Sequence, residues 1–247
     1  MFSFFQSKKF LIDALQDYVD IHNHILPGID DGAKDLNDSL NIIKGLSDLG
    51  ITNFIATPHI MNDYYGNNNQ SIETAFSLLK EQLEKEGRNI SLRYAAEYMM
   101  DPKFELLLKE KNLLSLSRNY VLMEMSYFQA PLNLDEVIFE TFTKGYLPVL
   151  AHPERYVFFH PKFHRYTKIK SKGVFFQLNA LSLTDHYGPS TRKAALKLLE
   201  SGMIDFLATD THHVQHIEQL KEVRVSEKHL KLLIPIIEST KGTFLTA

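Results

Sequence analysis

Two histidines separated by one residue, His22 and His24, follow a short apolar run near the start of the chain. The run, Tyr18 to Ile21, is typical of a β-strand, and both imidazoles can turn toward one ion where such a strand ends in a loop. Imidazole is the commonest metal ligand among side chains. A single His-x-His pair is weak evidence, but the later predicted strands end in the same way.

Residues of metal-ligand type recur at the ends of six of the seven predicted strands. Only the sixth strand lacks one and ends in Gln177-Leu178-Asn179. The candidate ligands at or soon after strand ends are His22, His24, Asp31, His59, Glu97, Glu124, His152, Asp210 and His212. Each alone is typical of a solvated strand end or a loop, so the functional interpretation depends on their lying together.

Nine candidate ligands indicate more than one ion, because a tetrahedral site needs four and a carboxylate can bridge two ions. Two or three clustered ions suit hydrolytic displacement at phosphorus, since they generate hydroxide and neutralise the attacking and leaving oxygens. Arg155, three residues after His152, suits bidentate contact with phosphoryl oxygens. The alternative for Arg155 is an ordinary ion pair with Glu154 or another nearby acid.

The amino-acid composition excludes some kinds of metal site, nucleophile and partner. The chain has no cysteine, which excludes thiolate zinc sites and the cysteine nucleophile of many phosphatases. Nitrogen and oxygen ligands accept manganese, iron, zinc or cobalt, so the sequence leaves the metal open. A net charge of −3 provides no basic field for nucleic acid, and we expect no nucleic-acid partner.

The elements that must position these residues are seven predicted strands, each followed by a helix or a long loop. The predicted strands are Tyr18 to Ile21, Ile51 to Thr57, Ser91 to Ala96, Tyr120 to Met123, Leu147 to Ala151, Val174 to Leu178 and Ile204 to Thr209. The predicted helices are Leu36 to Leu49, Ser71 to Glu86, Asn133 to Lys144, Phe163 to Lys172 and Pro189 to Ser201. This order favours a parallel α/β fold, a seven-stranded (β/α) barrel in which all strand ends share one face. An open doubly wound sheet is the alternative.

The length of 247 residues fits a single domain over 1–247. We expect residues 1–17 to form an N-terminal helix that packs on the barrel through Phe4, Phe5, Leu11 and Leu15, and residues 225–247 to form a C-terminal helix and tail. No apolar run approaches the roughly 20 residues of a membrane span, and the start lacks the order of a signal peptide. We therefore expect a cytoplasmic protein without stable membrane insertion, whose oligomeric state the sequence leaves open.

The motifs resemble those of the PHP (polymerase and histidinol phosphatase) superfamily, in particular its bacterial protein-tyrosine phosphatases. The resemblance covers residues 18 to about 215 and is carried by Asp20-Ile21-His22-Asn23-His24-Ile25, Asp30-Asp31-Gly32, Thr57-Pro58-His59, Ala96-Glu97, Glu124, Ala151-His152-Pro153-Glu154-Arg155-Tyr156 and Asp210-Thr211-His212. It implies a distorted seven-stranded barrel of the PHP type, related to the TIM barrel. It also implies action on tyrosine kinases of capsule and exopolysaccharide synthesis.

The resemblance further implies three divalent ions, with manganese preferred. The implied ligand sets are His22, His24, Glu97 and Asp210 for one ion, Glu97 as a bridge with Glu124 and His152 for a second, and Asp31, His59 and His212 for a third. Asp30 would orient a neighbour instead of binding an ion. Close relatives often carry a second arginine after the last Asp-x-His motif, where this chain has only His213 and His216 as candidate replacements.

The leading hypothesis is hydrolysis of phosphotyrosine on a protein, such as a bacterial tyrosine kinase. A metal-bridging hydroxide held by the cluster would attack phosphorus, while Arg155 binds the non-bridging oxygens. The loops Met61 to Tyr65 and Ser126 to Phe128 either line an entrance for the phenyl ring or pack as core or lid. The alternatives are a small-molecule phosphoesterase such as a histidinol-phosphate phosphatase and, with less support, a non-catalytic nucleic-acid-associated module.

Overall fold

The computed structural model describes residues 8–245. The helices are α1 (Leu36–Ser47), α2 (Asn69–Lys85), α3 (Pro102–Glu110), α4 (Leu134–Thr143), α5 (His164–Lys170), α6 (Pro189–Glu200), α7 (Val214–Lys221) and α8 (Glu227–Phe244). The strands are β1 (Lys8–Phe10), β2 (Tyr18–Asp20), β3 (Ile51–Ala56), β4 (His59–Ile60), β5 (Ser91–Tyr94), β6 (Glu97–Met99), β7 (Tyr120–Glu124), β8 (Leu147–Ala151), β9 (Phe175–Asn179), β10 (Phe206–Ala208) and β11 (Arg224–Ser226). Short 3-10 helices occupy Leu11–Ala14, Pro153–Arg155, Val157–Lys162 and Ala180–Leu183.

Two parallel sheets carry the site. One has six strands in the order β10-β9-β8-β7-β6-β4, and the other has three in the order β2-β3-β5. All pairings within these two sheets are parallel. Because parallel strands present their carboxyl ends at the same edge, the residues that follow them can converge. The α/β class predicted from the sequence is confirmed.

The predicted strands and helices coincide with observed ones to within a few residues. The sequence did not predict β4 and β6, which continue the paths of β3 and β5 after short breaks, nor helices α3 and α7. Helix α3 has a clear start signal, because the Asp101 carboxylate accepts from the Phe104 amide at 2.9 Å and Pro102 occupies the first turn.

The expected N-terminal helix is wrong over the part that the structure describes. Residues 8–10 form β1, which pairs antiparallel with β11, and a short 3-10 helix follows at Leu11–Ala14. The strand pairing satisfies backbone groups that a helix would otherwise bond internally. Leu11 and Leu15 are buried as expected, while Phe4 and Phe5 lie outside the described residues. At the other end of the chain, the expected C-terminal helix is α8, which reaches Phe244.

Apolar side chains from successive strands fill the space between the sheets and leave the carboxyl ends to polar residues. Val19, Ile55, Leu122 and Val149 belong to one buried cluster with Phe244 of α8. The Phe244 ring lies 5.3 Å from Tyr120 and 4.9 Å from Phe206, at the amino ends of β7 and β10. Helix α8 therefore covers the end opposite the site. Within residues 8–245, no helix is both long and apolar enough to cross a membrane.

Candidate metal centre

The His22–His24 segment is fixed by its neighbours on both sides. The His22 carbonyl accepts from the Asp210 amide at 2.7 Å, and the His24 amide donates to the Thr211 carbonyl at 2.9 Å. The His22 Nδ1 lies 2.8 Å from Gln177 Oε1, and the His24 Nδ1 lies 2.8 Å from Asp30 Oδ2. Because both partners are acceptors, each Nδ1 carries the proton and each Nε2 is left as a free ligand atom.

The two carboxylates of the Asp30-Asp31-Gly32 turn have different roles: Asp30 accepts hydrogen bonds from its neighbours, and Asp31 faces two candidate ligands. Asp30 accepts from the His24 ring, from the His59 amide at 3.1 Å and from the Gly32 amide at 2.9 Å, so it orients its neighbours as the sequence suggested. The Asp31 side chain is 49% exposed and its Oδ1 lies 3.5 Å from the Nε2 atoms of both His59 and His212. A β-carbon on Gly32 would lie 2.0 Å from the His24 carbonyl oxygen, so this close turn requires glycine.

Glu97 lies at the middle of the centre, at the start of β6. Its Oε2 lies 3.0 Å from His22 Nε2, 3.2 Å from His59 Nδ1 and 3.4 Å from His24 Nε2, and its Oε1 lies 3.1 Å from His152 Nε2. One carboxylate thus faces four imidazoles, which is the position of a bridging ligand. Glu124, at the end of β7, places its Oε1 3.0 Å from His59 Nδ1.

Asp210 follows β10 and joins the histidine cluster to Arg155. Its Oδ1 lies 3.3 Å from His22 Nε2 and 3.5 Å from His24 Nε2, while its Oδ2 accepts from Arg155 Nη1 at 2.7 Å. His212 lies 3.5 Å from the same Oδ1 through its Nδ1. Asp210 therefore contacts both the candidate ligands and the Arg155 guanidinium.

The unpaired polar atoms of this cluster fit metal ions. The buried side-chain atoms without a hydrogen bond of acceptable geometry include His22 Nε2, His24 Nε2, His59 Nδ1, Glu97 Oε2 and Glu124 Oε1. Each of the five lies 3.0–3.4 Å from at least one other of them. Buried polar atoms are normally satisfied, and a group of lone-pair donors aimed at a shared space is satisfied by cations. The residues present therefore fit bound divalent ions.

The charges in the cluster favour the same conclusion. Burial alone would lower the pKa of His22, but the carboxylates of Glu97 and Asp210 raise it to about 9. Burial would raise the pKa of Glu97, yet His22 and His59 hold it well below its usual range. Glu97 and Asp210 are thus ionised, because neighbouring histidines hold the pKa of each well below its usual range, and their negative charge stabilises positive charge in the cluster. Divalent cations compete with protons for such sites.

All nine residues predicted from the sequence come together in four overlapping groups, each with ligand atoms within 4.8 Å of one another. The groups are His24, Asp31, His59 and His212; His22, Glu97 and His152; His22, His24 and Asp210; and His59, Glu97 and Glu124. Asp31, His59 and His212 share a group as the resemblance implies. The groups differ from the implied sets in joining Glu124 to His59 instead of His152. Which ion each residue holds stays a prediction.

Arg155 is held at the edge of the centre by two rings and a carboxylate. Its guanidinium carbon lies 4.7 Å from the Tyr127 ring centroid and 4.2 Å from the Tyr187 ring centroid. The ion pair predicted as the alternative role exists, but with Asp210 and not Glu154. The Glu154 carboxylate is buried and accepts from the Asn179 amide at 2.9 Å, and burial raises its pKa to about 7.

A cavity of about 460 Å³ opens onto the centre. Both loops predicted to line an entrance contribute to it, through Tyr64, Tyr65, Tyr127 and Phe128. Tyr64 is 79% exposed and Phe128 is 93% exposed, so these two rings form the outer rim. The rim can accept a flat aromatic group whose phosphate reaches the ligands below.

The histidines proposed as replacements for a second arginine have other contacts. The Nδ1 of His216 accepts from the His212 amide at 3.3 Å, and burial, followed by His212, lowers the His216 pKa to about 4. Among the described residues that line the cavity, neither His213 nor His216 occurs and Arg155 is the only lysine or arginine. Neither histidine therefore supplies a second phosphate-binding cation in this structure.

Sequence reasoning missed three residues that support the centre. Gln177 orients His22, and Asn179 donates from its Nδ2 to Asp210 Oδ2 at 2.9 Å and to the Tyr187 hydroxyl at 3.2 Å. Tyr187 in turn stacks on Arg155. Gln177 and Asn179 could have been found from the sequence, because they end the one predicted strand without a ligand residue. Neutral polar residues at such a strand end are candidates for hydrogen bonds that orient the ligands of neighbouring strands.

A parallel α/β fold with histidines and carboxylates converging at its strand ends defines a hydrolase of the metal-dependent class. Residues 18–227 match the family described as capsular polysaccharide synthesis, CpsB/CapC, and the chain belongs to this family. The resemblance to bacterial tyrosine phosphatases of capsule synthesis is confirmed.

Known proteins similar to the chain agree with this assignment. Tyrosine-protein phosphatase YwqE of Bacillus subtilis is 33% identical over 198 residues, covering 80% of this chain and 78% of the relative. A solved structure from the pair YwqE of B. subtilis and CpsB of Streptococcus pneumoniae, described as unique metal-dependent tyrosine phosphatases, matches with TM-score 0.76 and 30% identity over 90% of this chain and 94% of that chain. A phosphotriesterase homology protein from Escherichia coli, at 13% identity and TM-score 0.51 over 93% of this chain and 99% of that chain, shows only a shared fold.

Proposed function

We propose that the protein is a metal-dependent tyrosine-protein phosphatase that hydrolyses phosphotyrosine on a protein. The observation that carries the proposal is the convergence of nine ligand residues on one centre beside Arg155, in a chain of the CpsB/CapC family. When bound, divalent ions acidify coordinated water and neutralise charge on phosphoryl oxygens. The protein supplies the ligands, the guanidinium and the aromatic cavity.

The residues around the cavity suit an aryl phosphate. Arg155 is 20% exposed in its side chain and lines the cavity, so it can donate to phosphoryl oxygens while Asp210 fixes one of its nitrogens. Tyr127 and Phe128 offer ring faces to a phenyl group. A phenol has a pKa near 10 and leaves more readily than an alkoxide, so the reaction depends less on a dedicated proton donor.

We propose three ions, of which manganese is the preferred identity, with iron, zinc and cobalt also compatible with nitrogen and oxygen ligands. The proposed ligand sets are His22, His24, Glu97 and Asp210; Glu97, Glu124 and His152; and Asp31, His59 and His212. The four overlapping groups of ligand atoms support more than one ion, since one ion does not use nine ligands. Elemental analysis of the purified protein tests the number and the metal.

We further propose that the two parallel sheets form one distorted seven-stranded barrel within a single domain. A parallel bridge between Asn23 and Thr211 supports this, because it joins the edge after β2 to the edge after β10. The Ala95 amide donates to the Ala56 carbonyl at 2.8 Å, which connects the β3–β4 path to the β5–β6 path across its break. These two contacts between neighbouring edges support the proposal that the two sheets belong to one barrel.

The proposed physiological substrate is a bacterial tyrosine kinase connected with polysaccharide synthesis. The proposed location is the cytoplasm, because ATP-dependent phosphorylation of such a kinase takes place there. The family description, capsular polysaccharide synthesis, supports this choice. Incubation of the protein with an autophosphorylated kinase of this type, followed by phosphotyrosine detection, tests the proposal. Retention of all phosphotyrosine would contradict it.

The His152→Ala variant tests the activity itself. His152 is buried against Glu97, so its loss should reduce turnover of a phosphotyrosine peptide by at least about 100-fold, through loss of metal or misplacement of Glu97. His164→Ala is the matched control, because His164 is exposed in α5. Undiminished turnover by a folded His152→Ala protein would end the proposal. Histidinol phosphate assayed in parallel distinguishes the small-molecule alternative.

A further inference from the structure

Arg155 is the only permanent cation that the described residues contribute to the cavity. Phosphate binding by the side chains, as distinct from the ions, therefore depends on the placement of one guanidinium. A free arginine side chain loses rotamer freedom when it is fixed. Contacts that hold Arg155 in place before the substrate arrives reduce this loss.

Two aromatic rings contact the Arg155 guanidinium. Tyr127 lies on the cavity side, as one of the lining residues, whereas Tyr187 lies outside the described lining. Their centroids are 4.7 Å and 4.2 Å from the Arg155 guanidinium carbon, well within the roughly 6 Å range of a cation–π contact. Tyr187 belongs to the loop between the Ala180–Leu183 3-10 helix and α6, so the chain brings it in from a separate element.

The Tyr187 ring is itself held by the network that positions Asp210. The Asn179 Nδ2 approaches both the Tyr187 hydroxyl at 3.2 Å and Asp210 Oδ2 at 2.9 Å, and the same Oδ2 accepts from Arg155 Nη1. The guanidinium is thus held by an ion pair with Asp210 and by contacts with the two rings. Five N–H donors belong to a guanidinium, so donors remain for a phosphate after Asp210 is satisfied.

We propose that Tyr187 is a positioning residue that, with Tyr127, clamps Arg155 in the orientation that binds the phosphoryl group. The proposal rests on the proposed function and concerns a residue that lies outside the described cavity lining and is not one of the candidate ligands. Its physical basis is pre-organisation: a guanidinium already oriented binds phosphate more tightly than one that must be ordered on binding.

The test compares Tyr187→Leu, which removes the ring, with Tyr187→Phe, which keeps the ring and removes the hydroxyl. The probe is inorganic phosphate, measured by calorimetry on the metal-loaded protein and as an inhibitor of phosphotyrosine peptide hydrolysis. A desolvated cation–π contact changes affinity by about 5- to 30-fold, so Tyr187→Leu should weaken phosphate binding by that factor. Tyr187→Phe should stay within about 3-fold of the natural protein, and metal content should be equal in all three.

A double-mutant cycle separates a clamp from a general structural role. In an Arg155→Lys background, where the planar guanidinium is absent, Tyr187→Leu should have less than about 2-fold further effect on phosphate binding. An undiminished effect in that background would overturn the proposal, as would equal losses in the leucine and phenylalanine variants. If Tyr187→Leu does not fold, Tyr187→His is the second variant, because it keeps a smaller aromatic ring. Unchanged phosphate affinity in Tyr187→His, together with a displaced Arg155 side chain, would also overturn the proposal.

The outcome is distinguishable from failure of the proposed function. If the natural protein with its ions neither hydrolyses phosphotyrosine peptide nor binds phosphate, the proposed function fails. If it does both, and Tyr187→Leu binds phosphate as tightly with normal metal content, only the clamp fails.

Discussion

Replacement of Asp30 by asparagine should weaken metal binding even though Asp30 is not among the candidate ligands. Its Oδ2 accepts from the His24 ring at 2.8 Å and from the His59 amide at 3.1 Å, and its Oδ1 accepts from the Gly32 amide at 2.9 Å. An asparagine has one oxygen and one amide group, so either orientation places an N–H group against another donor. The His24 Nδ1 proton then loses its charged acceptor, and the ligand atom Nε2 loses both basicity and orientation.

The size of this effect follows from the bonds that change. A hydrogen bond to a charged group contributes about 1.5–3 kcal/mol and a neutral one about 0.5–1.5 kcal/mol. Both bonds are to the charged Asp30 carboxylate, so making the His24 bond neutral and losing the Gly32 bond together remove about 2.5–4.5 kcal/mol. The His24 bond is the part that acts on the metal, and loss of such a supporting contact typically lowers metal affinity about 10- to 100-fold.

Competition with a chromogenic chelator measures the affinity, and elemental analysis counts the ions that remain. The matched control is Asp35→Asn, because Asp35 lies in the same segment but caps α1 by accepting from the Asp38 amide at 2.9 Å. Asparagine is an equally good cap, so the control should bind metal like the natural protein. Equal metal affinity in Asp30→Asn and Asp35→Asn would refute the orienting role of Asp30.

Four further outcomes are expected. Removal of the ions by a chelator should lower the unfolding midpoint by about 5–10 °C in calorimetry, since ligand at 100 times its Kd stabilises by about 2.7 kcal/mol; an unchanged midpoint would contradict a bound cluster. Gly32→Ala should lose metal on elemental analysis, because its β-carbon would meet the His24 carbonyl at 2.0 Å. Phe244→Ala should lower the free energy of unfolding in urea by about 3–5 kcal/mol by emptying a buried position. Phe128→Ala, with a ring that is 93% exposed, should raise KM for phosphotyrosine peptide severalfold and leave the unfolding midpoint unchanged; an unaltered KM would exclude the rim from binding.

The strand ends could be predicted because the pattern that marks them lies within a few neighbouring residues of the sequence. A short apolar run followed by an ionisable residue marks both where a buried strand ends and where a ligand can begin, as at Leu147–Ala151 and His152. Once parallel pairing places such ends at one edge, the site follows. The same reasoning failed at the amino terminus, where the pairing of β1 with β11 joins residues more than 200 positions apart, and no local pattern encodes that partner.

The supporting residues could not be predicted for a different reason. A histidine or carboxylate at a strand end is conspicuous because burial without a partner is unfavourable. Gln177, Asn179 and Tyr187 are neutral, and their types occur at many surface positions. Their supporting roles come from contacts with His22, Asp210 and Arg155. Those contacts depend on how separate strands and loops are placed relative to one another.

The backbone at two of the strand ends indicates how the centre is held. His152 has φ 32° and Asp210 has φ 52°, both in the left-handed region that favours glycine. A residue with a side chain in such a conformation is strained by about 1 kcal/mol or more. Glycine would relieve this strain but would remove the imidazole that faces Glu97 and the carboxylate that faces both His22 and Arg155. The sharp turn after each strand is what directs these side chains inward, so the fold gives up stability at these positions in order to assemble the centre.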